Sequence, residues 1–146
     1  LHHTGDQWNA IRNAASKVAP GGIFYIALYT SDVFVDPTPQ FWLDIKQRYV
    51  RSGWAGKRGL ELWYIWRFML NRNPFRIFGL LRSLPKYRFS RGMSFYTDVM
   101  DWLGGWPMEF SSIAEVKTFA TDELNMEIVK VKGGEANTEY LFRRRS

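Results

Sequence analysis

Apolar and polar positions follow several different rhythms along this chain. From Asp6 to Ala19, Trp8, Ile11, Ala15 and Val18 recur at helical spacing. Thr4 or Asp6 stands ready to cap the start and Pro20-Gly21-Gly22 to end it, which predicts a helix with one apolar face. Ile23 to Tyr29 (IFYIALY) then runs apolar throughout except for tyrosine hydroxyls. So short and continuous a run predicts a strand covered on both faces, the central strand of a parallel sheet. Helix, Pro-Gly-Gly turn and buried strand together make half of a doubly wound α/β unit.

The rhythm changes after Thr30. Pro37 and Pro39 lead into FWLDIKQRYV, an amphipathic helix, and Gly53, Gly56 and Gly59 predict a loose connection behind it. LELWYIWRFML is apolar nearly all round. The chain restarts at NPF, and FRIFGLLRSL sets Arg76, Gly79, Arg82 and Ser83 on one arc of a helix, with Phe75, Ile77, Phe78, Leu80, Leu81 and Leu84 elsewhere. Residues 33–91 therefore read as an aromatic, arginine-rich helical insertion.

Domain-like texture returns at Ser94. SFYTDVMDWL predicts a helix stopped by Gly104-Gly105 and Pro107, and Ser112 with Glu115 forms a capping box for a helix through Phe119. MEIVKVK and TEYLFRR, separated by a Gly133-Gly134 loop, predict a terminal antiparallel strand pair.

Composition narrows the class. The 146 residues are 46% hydrophobic and 17% aromatic, too apolar for a disordered chain and long enough for a substantial core. The absence of cysteine excludes disulfides, thiolate metal sites and a cysteine nucleophile, and makes the cytoplasm the default location. The longest apolar run, Leu60 to Leu70, is interrupted by Glu61 and Arg67 and is shorter than the roughly 20 residues that span a bilayer. Nine basic residues and one acidic residue lie between Lys57 and Arg91, so this one segment accounts for the whole-chain charge of +6. Such local concentration predicts a docking face for phosphates, lipid headgroups or an acidic substrate.

The order LHHTGDQWNAIRNAASKVAPGGIFYIALY, an insertion, RGMSFYTDVMDWLGGWPMEF and a closing strand pair ending in TEYLFRR resembles the carboxyl-terminal half of bacterial class I S-adenosylmethionine-dependent methyltransferases. The resemblance covers essentially the whole chain apart from the middle insertion. It implies a partial doubly wound, Rossmann-like sheet with a helical insertion and a terminal antiparallel pair. It also implies a cytoplasmic enzyme that moves a methyl group from S-adenosylmethionine to a small-molecule or lipophilic acceptor, with residues 33–91 as a lid. In that family Leu1 stands at the carboxyl end of the fourth strand, and the glycine-rich cofactor loop lies upstream. The glycine pairs at 21–22, 104–105 and 133–134 lack the GxGxxG spacing, and GWAGKRG lacks that of a phosphate loop. The chain is accordingly expected to be the downstream part of a larger fold and inactive by itself.

Ligands in open α/β sheets lie beyond the carboxyl ends of the strands. The resemblance thus makes His2 and His3 candidate catalytic residues, facing the methyl group or holding the strand-to-helix turn, and Tyr29 and Asp32 candidate substrate contacts. Arg91-Gly92-Met93-Ser94 enters a helix whose amino end suits a substrate carboxylate or phosphate, or else is only a glycine turn and a serine cap. Trp106 is a candidate wall of an apolar pocket. Metal binding by the histidine pair is excluded by the want of a third ligand. The competing class is a non-enzymatic interaction module in which residues 60–84 lie on a membrane surface, arginines at the headgroups and Trp63, Trp66, Phe75 and Phe78 beneath. Nucleic acid ranks third, since no recognised module accompanies the aromatic and basic residues. The acceptor and the oligomeric state are left open.

Overall fold

The computed structural model describes residues 1–134 and 136–146. It is mixed α/β, with six α-helices and one three-stranded antiparallel sheet among the described residues. The chain divides into two compact units, one formed by Leu1–Leu43 with Pro107–Ser146 and the other by Asp44–Trp106.

The first unit is built on α1 (Gln7–Ala15), β1 (Ile23–Tyr29), the short α6 (Ile113–Thr118), β2 (Met126–Gly133) and β3 (Asn137–Arg144). Asp6 caps α1 by accepting from the Asn9 amide at 3.2 Å. The helix stops four residues short of Ala19. Carbonyls beyond its end are satisfied by Arg144, whose guanidinium donates to Ser16 at 3.3 Å and Val18 at 2.5 Å, so tertiary contact rather than helical pitch ends it. Gly21, at φ 75°, makes the turn into β1 and donates to the Arg144 carbonyl. α6 starts with the expected capping box, Ser112 bonding the Glu115 amide and Glu115 the Ser112 amide. It then widens into a turn over Phe119–Glu123.

Strand order in the sheet is β1-β3-β2, with β3 antiparallel to both neighbours and β1 and β2 consequently parallel to each other. The bounds expected for β1 hold, but its surroundings do not. Among the described residues it is an edge strand paired antiparallel with β3, and burial alternates along it. Phe24, Ile26 and Leu28 face the core while Ile23 and Tyr25 are exposed. The physical reason is that period two assigns faces only when polar residues mark one of them, and every residue here is apolar or aromatic. The core is a single layer: Ile11 and Ala15 of α1, with Val116, Phe119 and Ala120, pack on Phe24, Ile26, Leu28, Met126, Tyr140 and Phe142. β2 carries a bulge between Ile128 and Lys130 on its own outer margin, where an unpaired residue disturbs least.

The second unit takes in most of α2 (Pro39–Arg51), with α3 (Trp54–Tyr64, widening through Ile65–Met69), α4 (Arg76–Arg91) and α5 (Phe95–Gly104). The loose connection expected at Gly53, Gly56 and Gly59 is helix instead: Gly53 is the cap of α3 and the other two lie inside it. A Cβ on Gly56 would come within 2.9 Å of the Ser52 Cβ, so the crowding of this side chain weighs against glycine's usual penalty of about 1 kcal/mol in a helix. α4 also runs past Leu84 to Arg91, through Pro85, and ends at Gly92 with φ 75°.

Polar groups knit this unit together from inside. Glu61, 2% exposed, accepts from Tyr49 Oη at 2.7 Å and Tyr96 Oη at 2.6 Å, and pairs with Arg58 at 2.9 Å. Burial, followed by that bond to Glu61, pushes the Tyr49 hydroxyl up to about 12. Lys46 is buried too; its ammonium donates to the Trp102 carbonyl and sits 3.9 Å from the Trp102 ring centroid, and burial pulls it down to about 8.

Candidate functional site

Three residues singled out in the sequence meet at the carboxyl end of β1. The rings of His2 and Tyr29 lie 4.4 Å apart, those of His2 and His3 4.6 Å, and those of His3 and Tyr29 5.9 Å, all edge to face. Two devices hold the Leu1–Thr4 turn here. The Glu109 amide donates to the His2 carbonyl at 2.9 Å, and Thr4 Oγ1 donates to the Leu1 carbonyl at 2.8 Å.

The two imidazoles differ in kind. His3 is exposed, and its Nδ1 lies 2.7 Å from the Pro107 carbonyl. A carbonyl can only accept, so Nδ1 is the donor, which leaves Nε2 as the nitrogen open to other partners. His2 is half-buried and pulled down to about 4, chiefly by burial and then by the proximity of His3, against a hydrogen bond to the Ala27 backbone that opposes the shift. It is therefore neutral at pH 7.

A pH dependence follows from His2. Its pKa is lower in the folded chain than the ordinary 6.5, so between pH 6.5 and about 4 the unfolded chain binds more protons. The stability it contributes is whole above 6.5 and lost as the pH falls through 4. For a half-buried ring screened by solvent the loss is about 1–2 kcal/mol. Denaturant unfolding of wild type and His2→Phe should show the wild type losing ground to the variant across that interval. A constant difference from pH 7 to 4 refutes the assignment.

Asp32 lies just past β1, where it accepts from the Ile113 amide at 2.8 Å and from Thr30 Oγ1 at 3.3 Å. It thereby fastens the start of α6 to the end of β1. Tyr29 also packs against Phe110, centroids 6.0 Å apart, and Phe110 against Phe34 at 5.0 Å. The other candidates belong to the 44–106 unit. Ser94 caps α5, accepting from the Thr97 amide at 3.2 Å. Arg91 Nε lies 3.1 Å from Asp98, whose carboxylate also accepts from Tyr87, and this pairing raises the Arg91 pKa. Gly92, at φ 75°, closes α4 two residues before that cap. Trp106 is 38% exposed, its amide bonded to the Gly104 carbonyl.

Sequence reasoning missed Glu109 and Gln7. Glu109 Oε1 accepts from the Gln7 amide at 3.2 Å, while Glu109 Oε2, Gln7 Oε1 and His2 Nδ1 are buried with no hydrogen-bond partner among the described residues. Buried acceptors left in this state cost about 1–3 kcal/mol each, and a donor brought by a ligand would relieve them. A lone glutamate in a proline-containing loop carries no sequence signal that separates it from a solvated one.

No cluster of three or more potential metal ligands occurs among the described residues. An open groove of about 660 Å³ lies in the first unit between Trp8 and Arg12 of α1 and Ala114, Thr118 and Phe119 on the other wall; none of the gathered residues lines it. No family model, no curated protein and no solved structure matches this chain.

Proposed function

We propose that residues 1–146 form the downstream part of a class I S-adenosylmethionine-dependent methyltransferase, with a partial doubly wound sheet, acting in the full-length protein on a small-molecule or lipophilic acceptor. One observation carries this reading. The outer edge of β1 has no partner strand among the described residues, only the Ser111 bridge at its carboxyl end, and there the His2 ring packs 4.4 Å from that of Tyr29. A strand leading into Leu1 would run alongside β1 in the same direction, as the resemblance requires of the fourth strand. The common direction of β1 and β2, with the last strand inserted antiparallel between them, agrees with it.

The residues described here do not form a cradle for the cofactor. Gly21-Gly22 closes the sheet against Arg144, Gly104-Gly105 ends α5, and Gly133-Gly134 lies where β2 turns toward β3. Residues upstream of Leu1 would hold the adenosine and methionine moieties. What this chain contributes is on the acceptor side: His3, whose Nδ1 is engaged by the Pro107 carbonyl, leaving Nε2 as the ring nitrogen suited to removal of a proton from an acceptor hydroxyl or amine. Tyr29 and Phe110 supply an apolar wall.

The deciding experiment is on the full reading frame that contains Leu1–Ser146. Calorimetric titration with S-adenosylmethionine should show binding, and the residues preceding Leu1 should hold a glycine-rich strand-loop-helix. In a methyl-transfer assay His3→Ala should lower kcat by about 10²–10⁴-fold with little change in cofactor affinity. A frame without that motif that fails to bind the cofactor sinks the proposal and leaves the non-enzymatic module.

A further inference from the structure

The helix α4 presents two apolar faces. Ile77, Leu80, Leu84 and Tyr87 are half-buried and form the inner one. On the opposite side Phe78, Leu81, Pro85 and Phe89 are all exposed, and at 100° per residue they fall within a single arc of about 80°. Phe89 is 92% exposed and Phe78 65%. Arg82 and Lys86 border this ridge on one side and Arg88 on the other. From Leu62 to Thr97 the chain holds seven basic residues and no acidic one. None of Arg76, Arg82, Lys86 or Arg88 enters an ion pair among the described residues.

We propose that α4 seats this protein on an anionic phospholipid surface, the Phe78-Leu81-Pro85-Phe89 ridge entering the headgroup–acyl boundary and Arg82, Lys86 and Arg88 reaching the phosphates. Charge decides the partner: basic residues flank the apolar arc without acidic relief, the disposition in which long cationic stems lie along the apolar phase and their heads stay at the headgroups. Shape agrees, because a convex ridge roughly 16 Å long fits a deformable apolar phase better than a preformed groove. Leu81 and Pro85 offer no π-face, which disfavours single-stranded nucleic acid, where successive bases stack on aromatic rings. No helix among the described residues is long and apolar enough to cross a membrane, so the contact is peripheral. The inference stands apart from the methyl-transfer proposal and survives its failure.

The test is sedimentation of the whole 146-residue chain with sucrose-loaded vesicles, made either of phosphatidylcholine alone or of phosphatidylcholine mixed with phosphatidylglycerol. The chain should bind the mixed vesicles, bind the neutral ones far more weakly, and lose affinity as salt rises. Phe78→Ser with Phe89→Ser should weaken binding at least about tenfold, while thermal melts stay within a few degrees because both side chains are already in water. Arg82→Gln, Lys86→Gln and Arg88→Gln together should weaken it about a hundredfold on mixed vesicles only. The proposal is overturned by a chain that stays in the supernatant with mixed vesicles, by equal binding of either variant, or by tighter binding to a single-stranded oligonucleotide than to the mixed vesicles.

Discussion

Glu61→Ala lowers the stability of the 44–106 unit by about 3–5 kcal/mol, the largest loss expected from any single substitution there. The side chain is 2% exposed and is the common acceptor of Tyr49, Tyr96 and Arg58. Its removal strands the buried Tyr49 phenol and leaves Tyr96 and a guanidinium whose Nε already lacks a partner without their shared acceptor. The Tyr49 hydroxyl must then stay unpaired or draw water into a packed interior. Glu61→Gln separates the charge from the hydrogen bonds, since the amide oxygen still accepts one phenol while the ion pair is lost; a loss of about 1–2 kcal/mol is expected for it. Denaturant unfolding followed by circular dichroism and by hydrogen exchange of α3 and α5 reads both. Equal losses for Ala and Gln would mean that the charge, not the acceptor geometry, holds the unit. A loss below 1 kcal/mol for Ala would mean that the network is dispensable.

Phe142→Ala destabilises the first unit by about 3–5 kcal/mol, through lost transfer energy and the cavity left behind. Phe142 is 1% exposed on β3, the strand paired on both sides, and lies opposite Phe24 and Ile128 with its ring stacked on Tyr140 at 5.9 Å. Ile23→Ala, on the same sheet but 51% exposed on the outer face, should cost under about 1 kcal/mol if that face is open to water. Equilibrium denaturation of the two variants makes the comparison. A large loss at Ile23 in the full-length protein, but not in residues 1–146, would reveal that upstream chain covers the outer face, as the methyltransferase proposal requires.

The elements that were legible in the sequence are those whose signals are local. Ser112 and Glu115 announce their capping box because the two bonds join residues three apart. The strands at 23–29, 126–133 and 137–144 are bounded by glycine or polar residues that end them whatever their neighbours are. The turn at 53–59 misled because glycine in a helix and glycine in a loop look alike until the close approach of Ser52 is known. At the candidate site the rings of His2, His3 and Tyr29 come within 6 Å of one another, a proximity that no local pattern marks. Glu109 stayed hidden because it reaches His2 across more than a hundred residues.

By itself, then, the amino-acid sequence determined where the three strands run, the capping box that starts α6, and which segment holds the positive charge. Each follows from interactions spanning a few residues or from composition. Only the tertiary structure decided that β3 intervenes between β1 and β2, that Ile23 and Tyr25 look outward, that α4 turns a phenylalanine ridge to solvent, and that the Pro107 carbonyl engages Nδ1 of His3. Those depend on which of several apolar faces finds a partner and on bonds between residues distant in the chain, and no local pattern encodes either.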